Sequence, residues 1–109
     1  MLDVIRIGGL ELRFLQTRQS SEGSLDLFEM TAQPNAQMPA AHYHESGDEA
    51  VYGPSGIMTF RVDGQDINMR PGRSEFIKRG IVHSFRNHTQ EPATCLVCSA
   101  PTTSRKWGL

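Results

Sequence analysis

The chain has 109 residues, with eleven basic and twelve acidic side chains and a net charge of −1 at neutral pH. That balance gives no electrostatic case for binding nucleic acid or an anionic membrane, and points instead to a small-molecule partner. The length predicts one domain over residues 1–109, and the opening residues carry an acidic group at once and no long apolar run, so neither a signal peptide nor a membrane span is expected and a cytoplasmic location is.

In chain order, Val4 to Ile7 is apolar and β-branched, Gly8 and Gly9 interrupt it, and Leu10, Leu12 and Phe14 then alternate with Glu11 and Arg13. Such period-two alternation across a glycine break predicts a hairpin. A polar loop over 18–24 precedes a strand containing Leu25, Leu27, Phe28 and Met30, and a loop from Pro34 to Pro39 leads to the segment with His42 and His44. Ser46, Gly47 and Asp48 read as a turn, Glu49 to Tyr52 as the strand leaving it, and Gly53 to Gly56 as the close of a hairpin. Ile57 to Val62 puts Met58, Phe60 and Val62 on one face, and Asp63-Gly64 is a strong two-residue hairpin turn. A strand over 65–69, a turn over 70–72, a short strand from Ser74 and a turn at Arg79-Gly80 follow. The next strand places His83, Phe85 and Asn87 on one face; a loop over 88–92, a strand over 93–100 and a polar tail from about 101 complete the chain. Short strands closely punctuated by turns, with no amphipathic helix, predict an all-β sandwich or barrel.

Chemistry concentrates on four residues. His42 and His44 are two apart, so a strand would aim both to one face with Cα atoms about 6.6 Å apart. Glu49 would return beside them on an antiparallel neighbour, and His83 must arrive from a distant strand, which requires a closed or sandwiched sheet. Three imidazoles and a carboxylate make a metal site the leading expectation. Asp48 beside Glu49 leaves open which carboxylate coordinates, with register favouring Glu49. Met30, Met58, Phe60, Met69, Phe76 and Phe85 are expected to face inward as core, Phe85 being the best candidate to line a pocket near His83. Tyr43 should face away from its neighbouring histidines; Glu45 and His88 read as turn and loop residues, and Asn87 as a residue serving the turn. Arg70, Arg73, Lys78, Arg79 and Arg86 read as a solvated basic surface. Cys95 and Cys98 are three apart on a strand-like run, an odd spacing that sends them to opposite faces as ordinary thiols rather than a redox pair.

These residues carry a resemblance. His42, His44, Glu49 and Gly56 match the spacing of the first motif of the cupin superfamily, and Gly72, Gly80, His83 and Asn87 that of the second. Ala36 and Lys78 depart from it, standing where the motifs have glycine and proline, neither of them a ligand position. The motifs cover 36–56 and 72–87. The resemblance implies a double-stranded β-helix, or jelly-roll, barrel with the site inside, usually as a homodimer. It also implies His42, His44, Glu49 and His83 as ligands of one divalent transition metal ion, Fe, Mn, Ni, Cu or Zn, with open positions for a small oxygen-bearing molecule. Oxygenase, isomerase or decarboxylase chemistry, a non-catalytic sensor and a metal-free sugar-modifying cupin are the functions to weigh, the last disfavoured by the retention of all four ligand positions.

Overall fold

A computed structural model describes residues 4–36 and 47–101. Among these residues the chain forms nine strands and no helix: β1 (Val4–Ile7), β2 (Leu10–Gln16), β3 (Asp26–Ala32), β4 (Gly47–Ser55), β5 (Met58–Val62), β6 (Gln65–Met69), β7 (Ser74–Ile77), β8 (His83–Arg86) and β9 (Ala93–Pro101). No helix among them could therefore cross a membrane.

The strands make two antiparallel sheets, one in the order β1-β2-β3-β9-β4-β7 and the other β6-β5-β8. β9, last in sequence, lies between β3 and β4, the long return connection that marks a jelly roll. Alternation decides which residues meet between the sheets. Leu10, Met30, Ala32, Val51, Ile77, Ala93, Cys95 and Val97 of the larger sheet are buried, as are Met58, Phe60 and Met69 of the smaller. Met58 and Met69 pair directly across β5 and β6 and are fully enclosed, each contributing on the order of 1.5–3 kcal/mol by burial.

The turns follow from backbone chemistry. Asp63 and Gly64 both have positive φ, 50° and 81°, the type I′ geometry whose twist matches that of the flanking β5 and β6. Gly56 has φ 72°, and a Cβ there would lie 2.5 Å from the Pro92 carbonyl oxygen and 2.6 Å from the Ala93 Cα. Only a residue without a side chain lets β4 leave the sheet so close to β9.

Three expectations are corrected. The turn expected over Ser46–Asp48 does not extend to Gly47 and Asp48, which are already strand, paired with Pro101 and Ala100, because β9 is long enough to partner them. Gly53 to Ser55 also belongs to β4: the register shifts between Tyr52 and Ser55, and the Gly53 N–H donates to the Arg73 carbonyl while its own carbonyl accepts from the Gly72 N–H. Phe76 is 62% exposed rather than core. Pairing of Glu49 with Ile77 and of Ala50 with Phe76 aims Ile77 inward, and a period of two then sends Phe76 out.

Candidate functional site

Between the sheets lies a cavity of about 340 Å³, the size of a small-molecule site. Its walls are mainly apolar, and its chemistry is ordered by strand register. Asp26 of β3, Ser99 of β9 and Glu49 of β4 are direct cross-strand partners and form one polar row. Two residues further along, Phe28 and Val97 pair in the next inward row, with Phe14 of β2 opposite Phe28. The row beyond joins Leu12, Met30 and Cys95. From the opposing sheet, Phe60, His83 and Phe85 line it.

Aromatic packing braces both walls. The Phe14 and Phe28 ring centroids are 5.0 Å apart and those of Phe60 and Phe85 5.6 Å, each pair tilted, a favourable geometry for rings. The expectation that Phe85 lines the pocket beside His83 is met.

Glu49 and His83 face one another from different sheets, both almost entirely buried, with Glu49 Oε1 3.7 Å from His83 Nε2. The other ring nitrogen, Nδ1, lies 3.1 Å from the Ile81 carbonyl oxygen. A carbonyl only accepts, so this hydrogen bond puts a proton on Nδ1 and, in the neutral ring, leaves the Nε2 lone pair directed at the carboxylate side. Fixing one nitrogen through a backbone carbonyl is the usual way an imidazole is oriented for ligation. Two donors about 2.1 Å from a shared ion stand roughly 3.0–3.4 Å apart at octahedral or tetrahedral angles, a few tenths of an ångström inside the observed separation. A buried carboxylate and an oriented imidazole therefore suit a divalent ion. Asp48 points out of the cavity, its Oδ1 accepting the Arg79 N–H at 2.9 Å, which leaves Glu49 as the inward carboxylate of the two. His42 and His44, with Tyr43 and Glu45, lie outside the described residues.

Asn87 does more than serve a turn. Fully buried, its Nδ2 donates to the Ala32 carbonyl at 3.0 Å and the Glu91 carbonyl at 2.7 Å, while Oδ1 accepts from the Thr89 N–H at 2.8 Å and hydroxyl at 2.7 Å. Its backbone accepts from the Asn35 N–H and donates to the Ala36 carbonyl, so it clamps the chain a few residues before His42. His88 is exposed in its loop, and Arg70, Arg73, Lys78, Arg79 and Arg86 are likewise at the surface. Cys95 is buried and Cys98 half-buried, both as free thiols, and burial pushes the Cys95 thiol up to about 12.

Sequence reasoning did not find Asp26, Ser99, Leu12, Phe14 and Phe28 as cavity residues. Each falls on the inward phase of its strand, so alternation carried the signal, but only pairing places the three strands side by side. Asp26 is held by Arg18, whose backbone N–H donates to it at 2.9 Å and whose Nε stands 3.3 Å away.

A family model for the cupin domain matches residues 28–99. Over 53 residues, 49% of this chain, the sequence is 38% identical to quercetin 2,3-dioxygenase of Bacillus subtilis (strain 168). The fold is similar to that of a sugar phosphate isomerase of the cupin superfamily from Silicibacter pomeroyi, with TM-score 0.74 and 26% identity over 84% of this chain. This chain spans 16% of the dioxygenase and 59% of the isomerase. A predicted oxalate decarboxylase from Thermotoga maritima superposes with TM-score 0.82, covering 92% of this chain and 91% of its own, at 21% identity, a likeness of fold.

Proposed function

The chain belongs to the cupin domain family, and on that premise we propose that it binds one divalent transition metal ion through His42, His44, Glu49 and His83 and uses it to act on a small organic molecule. The observation that carries this reading is the pairing of Glu49 with His83 from opposing sheets, 3.7 Å apart and buried at the wall of an apolar cavity. A carboxylate oxygen and an imidazole nitrogen held together at one buried point are two donors of the kind that divalent transition metal ions take.

The similarity to a dioxygenase across 49% of the chain supports non-heme dioxygenase-like chemistry ahead of the isomerase and decarboxylase alternatives. When bound, the ion supplies Lewis acidity or a redox centre next to the substrate's oxygen atoms. The chain's own residues do the rest. The Ile81 carbonyl fixes the His83 ring, Glu49 places negative charge at the polar end of the cavity, and Phe60, Phe85, Phe14 and Phe28 exclude water and hold the organic body. A homodimer, the usual cupin assembly, is part of the same proposal.

The test is elemental analysis of untagged protein, with oxygen uptake measured across a small-molecule panel. Near-stoichiometric metal in the wild type that is lost in His44→Ala, His83→Ala and Glu49→Gln, each keeping an all-β circular dichroism spectrum, is the expected result. Full metal retention in the His83→Ala or Glu49→Gln protein would overturn the ligand assignment. Metal binding with no oxygen uptake on any compound would remove the dioxygenase-like reading and leave the metal-binding cupin.

A further inference from the structure

The cavity has a direction. At one end are the row Asp26, Ser99 and Glu49, where β3 and β4 begin and β9 finishes, and His83 at the start of β8. Its next two inward rows are Phe14, Phe28 and Val97, then Leu12 and Met30. Inward rows on a strand are about 6.6 Å apart, so the apolar stretch continues for roughly 13 Å past the polar row. Phe60 and Phe85 cover it from the other sheet.

Among the described residues that line the cavity, the charged and titratable groups lie at one end. Asp26 pairs with Arg18 at 3.3 Å, and Glu49 faces His83 at 3.7 Å. Beyond that end, the side chains named offer no hydrogen-bonding group other than the weakly polar Met30 thioether. A compound with hydroxyls or phosphates spread over its whole length would strip them of water against phenylalanine and leucine without replacing those hydrogen bonds. A compound of two or three carbons would leave most of the 340 Å³ unfilled. Packed at protein-like density, that space takes on the order of a dozen non-hydrogen atoms.

We infer that the cavity selects an amphipathic, one- or two-ring compound, its oxygen-bearing end against Glu49 and His83 and its apolar rings over Phe14, Phe28, Leu12 and Met30. The inference rests on the proposed reading of the Glu49–His83 end as the reactive end, and it goes further by naming the substrate class. It sets aside sugar phosphates and short dicarboxylates, which are polar throughout.

Isothermal titration with naphthalene-2,3-diol, glucose 6-phosphate and oxalate tests it, on metal-loaded protein whose metal content is measured in the same samples. The diol is expected to bind at least roughly tenfold more tightly than either polar compound. Leu12→Asn, which puts an amide into the apolar rows, should weaken the diol by roughly tenfold, while Leu12→Met should leave it within about twofold. Oxalate or glucose 6-phosphate binding as tightly as the diol, or a Leu12→Asn protein that is folded by circular dichroism yet binds the diol unchanged, overturns the inference. The two readings fail separately. Stoichiometric metal with no diol binding sinks the substrate class alone; diol binding that responds to Leu12→Asn in protein that takes up no metal sinks the metal assignment and leaves the substrate class standing.

Discussion

Replacing Asn87 with alanine should destabilise the protein by about 3 kcal/mol. The side chain is fully buried and makes four hydrogen bonds, to Ala32, Glu91 and twice to Thr89. Their loss is unequal. The single Thr89 hydroxyl proton, released from Oδ1, can turn to the Glu91 carbonyl at 3.0 Å, so that carbonyl is not abandoned. The Ala32 carbonyl bond is buried, and losing its partner there costs about 1–3 kcal/mol. The Thr89 N–H sits in a partly buried loop where water can replace the lost acceptor, at about 1 kcal/mol or less, and the emptied volume adds a further fraction. In urea, with a slope of about 1–1.5 kcal/mol per molar for a chain this size, the midpoint should fall by roughly 2–3 M. The backbone of Asn87 also secures Asn35 and Ala36, just ahead of the segment bearing His42 and His44. Metal affinity should therefore drop in Asn87→Ala although no proposed ligand is touched. A midpoint shift below about 0.5 M would refute the clamp, because abandoning the buried Ala32 carbonyl alone costs more than that.

Two further outcomes follow from single residues. The Cys95 thiol is pushed up to about 12 by burial, whereas an unfolded cysteine ionises near about 8.5; its contribution to stability is full below that lower value and falls as pH rises toward the folded one, by up to about 1.4 kcal/mol per unit. The difference in urea midpoint between wild type and Cys95→Ala, followed from pH 8 to 11, should shrink accordingly, and a constant difference would contradict the buried neutral thiol. At Gly56, where a Cβ would meet the Pro92 oxygen at 2.5 Å with φ 72°, alanine should cost on the order of 2–4 kcal/mol, read as a lowered thermal midpoint; an unchanged midpoint would mean that β4 and β9 separate there freely.

Much of this architecture was legible because it depends on local chemistry. The Asp63-Gly64 turn, the inward phase of Met58 and Phe60 and the shared face of His83 and Phe85 all follow from period-two alternation and the φ preferences of two residues, and all are present. The inward position of Glu49 follows from the same phase, and the expectation that His83 arrives from a distant strand is met. What alternation does not convey is who pairs with whom. Phe76 looked like core on hydrophobicity, yet the register that aligns Ile77 with Glu49 turns it outward. Gly47 and Asp48 looked like a turn on composition, and a long β9 made strand of them. Asp26 drew no expectation from the sequence, and only its cross-strand pairing with Ser99, and Ser99's with Glu49, places it in the cavity.

The meeting of Glu49 and His83 across the two sheets also has a consequence for how the molecule opens. The smaller sheet holds His83 through β5, and the larger holds Glu49 through β9 and β7. Separating the sheets therefore pulls the two residues apart, and a ligand that grips both must be released before the sheets part. Such a ligand raises the free energy of opening by RT ln(1 + [L]/Kd), about 4 kcal/mol at a thousandfold excess over Kd. Slowed amide exchange should then spread well beyond the cavity, into strands on both sheets that touch the ligand nowhere, so that occupancy of a few atoms is recorded as rigidity of the whole barrel.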